Sequence, residues 1–500
     1  MSDKLVAYSA GAEPQFPANF DVVKRTTLNY TDIVNNSNKF YNLEIQVAPS
    51  GESRIYTNYG RVGGTIAREY RICKNQIHAE SESDKIIKSK VKKGYVEVKL
   101  VKAEIGSEVG KAKIESSKIS LTDLEKAGIK IQTDQKDESI LHPEVQNLVR
   151  TWFGVTAEFV ELNLDTKKCP LGQLSIDQIT KGKNILEEAR QIVHSKKPDQ
   201  IELNKLTNLY YSNIPHNFGY TRINADALRL DADDKLDKAF DILDIFNDAK
   251  NVQNVMSRKN SVDSQYVTLN TDVEWLDPKS PTWQWLDVML HNTRASNHSF
   301  LGKLKTHKIF KINRKGEEER FLKVAEKIAK ECGKHNPSDV YAKLVRERPD
   351  VSKELQDLYK NANVCPGWHG TRRANMIGIT TKGLLIRPSG VTHAGSMYGD
   401  GIYWATNSTK SINYCDVKGS YWAQGNNRTA YLFLGDVAFG KQKIASGSHF
   451  YTNKNIEPHH SVFAKAGSAV YNDELITYHP TGPNQQHWLR YIVEFETQVK

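Results

Sequence analysis

A chain of 500 residues that is 39% hydrophobic and 26% charged has an ordinary soluble composition, and at roughly 100–200 residues per domain it predicts about three domains. No run approaches the roughly 18 apolar residues of a spanning helix, and the opening MSDKLVAYSAGAEPQF lacks a secretory pattern, which excludes a membrane partner and predicts an intracellular protein. The net charge of +10 favours polyanionic partners.

Residues 1–20 read as a tail. Between 21 and 104, KFYNLEIQV and SRIYTNYG alternate apolar and polar residues, and PSGES between them supplies turn chemistry, so a hairpin is predicted. YGRVGGT makes a second turn, AREYRI another strand, Asn75 to Lys92 a helix and GYVEVKL a final strand. The positive surplus concentrates here: from Gly60 to Lys99 ten Lys and Arg (Arg61, Arg68, Arg71, Lys74, Lys85, Lys88, Lys90, Lys92, Lys93, Lys99) face five acids (Glu69, Glu80, Glu82, Asp84, Glu97).

Residues 105–140 are polar, rich in Ser and Lys and poor in aromatics, the composition of a linker. From 141 to 255 the period turns helical: VQNLVRTWFGVTAEFVEL, SIDQITKGKNILEEARQIV, QIELNKLTNLYYSNI and KLDKAFDILDIFNDAKNV place apolar residues three and four apart, with Ser175 as an N-cap. A bundle of five or six helices without a nucleophile or phosphate loop is expected, so its role is mechanical or regulatory.

From 256 to 500, HKIFKINR, GLLIRP, GIYWA, TAYLFLGDVAFG, ELITYH and WLRYIVEFE read as strands of a mixed or antiparallel sheet, with helices at EERFLKVAEKIAKEC and VSKELQDLYKNA. The whole is an α+β multidomain chain: a small sheet with one helix, an all-α bundle and a larger sheet domain. Five scattered cysteines (Cys73, Cys169, Cys332, Cys365, Cys415) fit neither a disulfide framework nor a zinc finger and read as reduced core thiols. His459-His460 lacks nearby Cys or carboxylate partners and reads as a polar loop, so no metal is expected.

Four segments of the last region carry the chemistry: PGWHGTRRANMIGITTKGL, SMYGDGIYWA, STKSINYC and SAVYNDELITYHP. Neither GSMYGDG nor YGRVGG has the G-x-G-x-x-G spacing of a dinucleotide-binding turn, which disfavours a Rossmann dehydrogenase. In order and character the four segments resemble the catalytic domain of the DNA-damage-activated poly(ADP-ribose) polymerases. Upstream, YTNYGRVGGT with the basic helix and GYVEV resembles the Trp-Gly-Arg (WGR) domain of that family, and VELNLDTKKCPLGQLSIDQI with SNIPHNF resembles its helical regulatory domain. The resemblance runs from about Asp21 to the C-terminus, and no zinc-finger extension is expected.

The resemblance implies a DNA-break-stimulated ADP-ribosyltransferase of the DNA damage response. Such an enzyme consumes NAD⁺ as a substrate, has no prosthetic group, and modifies acceptor proteins or growing ADP-ribose chains. It implies Glu474 as the carboxylate that bonds a ribose hydroxyl and polarises the acceptor, with Asp473 a lesser competitor. It implies His369 on the adenosine ribose, Gly370 and Ser411 on the nicotinamide carboxamide, Tyr403 and Tyr414 as aromatic walls, and Thr371 and Gly378 among the NAD⁺ contacts. Leu385 stands where the family often has Arg, and Arg387, two residues on and on the same side of an extended segment, is the substitute. Asp244 matches a helical acid facing the cleft in relatives. Tyr59 replaces the signature Trp, and with Arg61 it is the expected DNA contact. Physically, breaking the nicotinamide–ribose bond leaves an oxocarbenium-like sugar that needs nearby negative charge, while a flat cationic ring gains from aromatic faces. A transferase adding a single ADP-ribose and a non-enzymatic DNA-end scaffold are the alternatives.

Overall fold

A computed structural model of the chain describes residues 5–61, 65–98, 139–163, 174–216, 218, 224–256, 261–332, 348–386 and 396–499. Contacts divide it into two units, residues 1–136 with 158–254, and residues 137–157 with 255–500.

The first unit begins with strands β1 (Tyr8–Ser9), β2 (Asp21–Asp32), β3 (Ser37–Val47), β4 (Ser53–Arg61) and β5 (Ile66–Cys73), followed by helix α1 (Gln76–Val91) and β6 (Val96–Val98). They form one antiparallel sheet in the order β1-β5-β4-β3-β2-β6, and the expected hairpin is β3–β4 with Val47 opposite Ser53. Alternation along β4 buries Ser53, Ile55 and Thr57 on one face. Leu28, Tyr41, Leu43, Ile45 and Ile55 from the strands close around Ala79 of α1. That helix starts where the Asn75 side chain accepts the His78 N–H at 2.9 Å.

The helical region supplies α2 (Pro143–Asn163), α3 (Ile176–Val193), α4 (Gln200–Asn213), the single turn α5 (Ala225–Leu228) and α6 (Asp233–Met256). Ser175 caps α3 as expected, accepting the Gln178 N–H at 3.1 Å, and Asp199 caps α4. Leu186, Leu203, Tyr210, Leu236, Phe240, Leu243 and Phe246 form the bundle core, which also takes in Ile33 and Val98 from the sheet. Sheet and bundle are therefore packed together: the Asn29 amide donates to the carbonyls of Tyr211 and Ser212 at 3.2 and 3.3 Å, and the Thr31 N–H donates to Ser212 Oγ at 2.9 Å. The boundary between the units falls within α2, whose Trp152 packs edge-on against Tyr431 of the second unit.

The second unit continues with α7 (Val262–Thr268), β7 (Thr271–Trp275), α8 (Pro281–Asn292), β8 (Lys303–Arg314), α9 (Glu317–Cys332), α10 (Lys353–Asn361), β9 (Val364–Gly370), α11 (Met376–Lys382), β10 (Ile402–Ala405), α12 (Ser408–Ile412), β11 (Thr429–Ala438), β12 (Gln442–Ile444), β13 (Ser461–Ala464), β14 (Glu474–Thr477) and β15 (His487–Gln498). Its nine strands run in the order β12-β13-β14-β10-β9-β11-β15-β8-β7, antiparallel except for β12–β13. The interior strand β11 is buried along nearly its whole length, so it reads as a continuous apolar run rather than an alternation. Asp436 on β11 accepts from Arg348 at 2.6 Å, Arg490 at 2.9 Å and Tyr359 at 2.9 Å, a buried network that ties α10 and β15 to the sheet.

One expectation changes. GLLIRP is not a strand where it is described: Gly383, at φ +82°, ends α11, and Leu384 is buried while its carbonyl takes the Thr481 N–H at 2.8 Å. VCPGWHG, which is not among the strands expected from the sequence, forms β9 because it pairs with β11 from Val364 to Gly370. The four cysteines among the described residues are free and buried, as expected of core thiols, while Cys169 and nearly all of the linker lie outside the described residues.

Candidate active site

His369 stands near the end of β9, opposite Phe433 of β11. Its Nδ1 lies 3.1 Å from the Tyr403 carbonyl, which only accepts, so that nitrogen carries the proton and Nε2 is left as an acceptor. Burial pulls its pKa below the ordinary histidine value, which keeps the ring neutral. Trp404 packs behind it at 5.6 Å between ring centres, and the buried His487 packs behind Trp404 at the same spacing.

At Gly370 the chain touches α12 backbone to backbone: a Cβ here would lie 1.8 Å from the Ser411 carbonyl oxygen. The Ser411 hydroxyl donates to the Trp368 carbonyl at 2.9 Å and retains lone pairs to accept from a ligand amide. The Tyr403 phenol accepts the Tyr398 N–H at 3.0 Å and donates to the Gly399 carbonyl at 2.8 Å, so the ring is anchored through its hydroxyl. Tyr414 follows α12 with its ring 38% exposed.

Register brings the carboxylate in. Ala405 of β10 faces both Trp368 of β9 and Glu474 of β14, so the acid sits one strand away from the end of β9. Glu474 is buried and its carboxylate pairs with Lys410 of α12 at 2.5 Å. Asp473 is directed elsewhere, accepting the Ala466 N–H at 2.8 Å. Close by, the buried His298 bonds Thr409 Oγ1 at 3.1 Å and the Asn472 amide at 3.2 Å, which ties the segment before β14 to α12. Asn472 lies inside a segment the sequence flagged, but nothing in its spacing paired it with His298.

Thr371 is buried and accepts the Asn375 amide at 3.0 Å, Gly378 is buried within α11, and Arg387 lies outside the described residues. His459 and His460 bond the Ile456 carbonyl and Glu331, and among the described residues no group of three His, Cys, Asp or Glu side chains stands together to hold a metal ion.

Three family profiles match the chain: the WGR domain over residues 24–102, the poly(ADP-ribose) polymerase regulatory domain over 139–272 and the poly(ADP-ribose) polymerase catalytic domain over 280–486. The chain belongs to the poly(ADP-ribose) polymerase family. It is 27% identical over 459 residues to a poly [ADP-ribose] polymerase of Drosophila melanogaster, matching 88% of this chain and 40% of that protein. It is 27% identical over 436 residues to the human protein mono-ADP-ribosyltransferase PARP3, matching 83% of this chain and 72% of that protein. It is 28% identical over 436 residues to poly [ADP-ribose] polymerase 1 of Danio rerio, matching 85% of this chain and 38% of that protein. The chain thus spans well under half the length of the fly and zebrafish relatives.

In the WGR domain, Tyr59 is not a free ring. It stacks on Tyr41 at 5.3 Å, and its hydroxyl donates to Glu69 at 2.6 Å, which pushes its pKa up to about 12. Lys90 of α1 sits 3.9 Å over Tyr41 and 5.4 Å over Tyr59. Burial, with Lys93, Arg71 and Lys39 close by, lowers the Lys90 pKa. The Arg61 guanidinium donates to the backbone and side-chain oxygens of Asn36. In the bundle Asp244 pairs with Lys183 at 2.6 Å. No helix among the described residues is long and apolar enough to cross a membrane.

Proposed function

We propose that the chain is an NAD⁺ ADP-ribosyltransferase stimulated by DNA breaks. The observation that carries this reading is the buried Glu474 carboxylate, paired with Lys410 and one strand away from the β9 end that bears His369 and Gly370. The Gly370 backbone and Ser411 Oγ hold the carboxamide, Tyr403 and Tyr414 flank the nicotinamide ring, and neutral His369 accepts from an adenosine ribose hydroxyl through Nε2. Thr371, Gly378 and Arg387 complete the nucleotide contacts. As the C–N bond breaks, its electron pair leaves with neutral nicotinamide and the sugar becomes cationic, which Glu474 stabilises. An acceptor hydroxyl then bonds to that carbon while its proton passes to Glu474. NAD⁺ is consumed, and no prosthetic group is involved.

The partners are DNA ends, bound through Arg61, Tyr59 and the lysines of α1, and proteins that accept ADP-ribose. The helical region is the regulatory element that withholds activity until DNA binds, and Asp244, paired with Lys183, is its regulatory residue. The cell compartment is the nucleus in a eukaryote and otherwise the cytoplasm or nucleoid. Incubation with labelled NAD⁺, with and without nicked or blunt duplexes, followed by sizing of the products, tests the whole reading. Label transferred only with broken DNA supports it; equal rates with and without DNA refute the switch, and no transfer at all leaves a DNA-end scaffold. Products of one unit only would favour the mono-transferase reading, which the name of the human relative supports.

A further inference from the structure

The indole of Trp404, on β10, touches four other strands. Its Nε1 donates to Thr477 Oγ1 of β14 at 3.2 Å, and its six-membered ring lies over Gly367 of β9 and Gly435 of β11, which stand opposite each other in the sheet. A Cβ at Gly367 would lie 3.0 Å from Trp404 Cε3, and one at Gly435 would lie 3.4 Å from its Cη2, so the two glycines leave the space that the indole fills. The fourth contact is with His487, the first residue of β15, ring centres 5.6 Å apart. Both side chains are buried.

His369 rests against the same indole, with ring centres 5.6 Å apart and planes at 58°. The bond from its Nδ1 to the Tyr403 carbonyl fixes one corner of the imidazole, and a ring held at one corner still turns about it. Contact with the indole removes that freedom and so decides where Nε2 points. The indole holds its own place only while something packs against it, since a void beside it loses those contacts outright. His487 supplies that packing. Burial, His369 and Arg314 keep its imidazole neutral, so it packs as an aromatic ring and not as a cation. Its Nε2 edge faces polar groups: Thr481 Oγ1 at 3.4 Å and the buried Glu317 at 3.9 Å, whose carboxylate lies 3.6 Å from Arg314.

Resting on the nucleotide-binding reading above, we infer that Trp404 and His487 are positioning residues for the adenosine half of NAD⁺: packed in a column behind His369, they hold its Nε2 where a ribose hydroxyl meets it. They act through His369 and leave the nicotinamide half alone. That half is assigned to Gly370 and Ser411, which are joined by the close approach of β9 to α12 and by the Ser411 bond to the Trp368 carbonyl, and no part of the column enters those contacts.

Binding to the full chain separates the two halves without turnover. The probes are benzamide, which mimics nicotinamide alone, and a carbocyclic analogue of NAD⁺ that cannot be cleaved. His487→Ala should weaken the analogue about five- to tenfold and leave benzamide within about twofold, because only the His369 ring is misplaced. His487→Phe, which keeps a ring against the indole and removes only the polar edge, should restore the analogue to within about twofold of the unsubstituted chain. Trp404→Phe, a milder cut into the same column, should show the same one-sided loss. His369→Ala should weaken the analogue at least as much, and adding His487→Ala to it should cost little more, as expected of residues that act through one another. In turnover, His487→Ala should raise KM for NAD⁺ with kcat within about twofold. Equal loss of both probes, unchanged analogue binding by His487→Ala and Trp404→Phe, or no recovery in His487→Phe overturns the proposal. A chain that shows the one-sided loss but transfers nothing sinks the transferase reading alone, and an unsubstituted chain that binds neither probe sinks both.

Discussion

Replacing Glu474 by Gln keeps the volume of the side chain and its ability to accept from Lys410 but removes the negative charge. The carboxylate is buried, so its field is poorly screened. For a charge about 4 Å from the cationic sugar in surroundings of effective dielectric about 20, the interaction is about 4 kcal/mol, or about 10³ in rate. Lys410, at 2.5 Å, offsets part of that field, so the expected loss in kcat is about 10²–10³, in line with other groups that stabilise developing charge. Nicotinamide release should be followed at saturating NAD⁺ with nicked duplex present, with KM expected to change no more than about threefold because Gln can still accept from the ribose hydroxyl and the other ground-state contacts lie elsewhere. Asp473→Asn is the control: that carboxylate holds the Ala466 N–H, and kcat should stay within about twofold. A Glu474→Gln protein of unchanged melting temperature that retained kcat within tenfold would show that no sugar cation develops near this acid.

Other perturbations follow from the same geometry. Gly370→Ala places a methyl 1.8 Å from the Ser411 carbonyl oxygen, so β9 and α12 must separate; nicotinamide release should fall at least a hundredfold, and a variant with normal KM would contradict the close approach. Asp436→Leu leaves two buried guanidinium groups, Arg348 and Arg490, sharing the single carboxylate of Asp350 and should cost about 3–5 kcal/mol, read as a urea midpoint of the catalytic unit. Burial, with His369 and Arg314 nearby, pulls the His487 pKa down to about 3. An unfolded imidazole protonates near pH 6.5, so this contribution is complete above that pH and declines by about 1.4 kcal/mol per unit as pH falls toward 3. Glu317, raised to about 7 by burial, acts in the opposite sense, its contribution complete below about pH 4.5 and lost as pH rises to 7. His487→Val should therefore flatten the acid side of a plot of urea midpoint against pH, leaving the alkaline side in place. Changing the exposed Lys88, Lys92 and Lys93 to Gln should lower the slope of log affinity for duplex ends against log salt by about 2–3, and an unchanged slope would place the DNA elsewhere.

Periodicity made most elements legible. The alternation of KFYNLEIQV and SRIYTNYG matches β3 and β4, and the apolar spacing with Ser175 as cap matches α3, because local burial patterns and caps need only nearby residues. Motif order likewise pointed to His369, Gly370, Tyr403, Ser411 and Glu474 as one set, since the chemistry restricts which residue types serve. What the local pattern could not decide was set by distant partners. VCPGWHG is a strand only because β11 runs beside it, and GLLIRP, strand-like in composition, is unpaired over its described residues 383–386. Register turns adjacent side chains to opposite faces, and it gives Lys410 to Glu474 and the Ala466 N–H to Asp473. His298 and Asn472 stand more than a hundred positions apart, and only the folded sheet brings such groups within hydrogen-bonding distance.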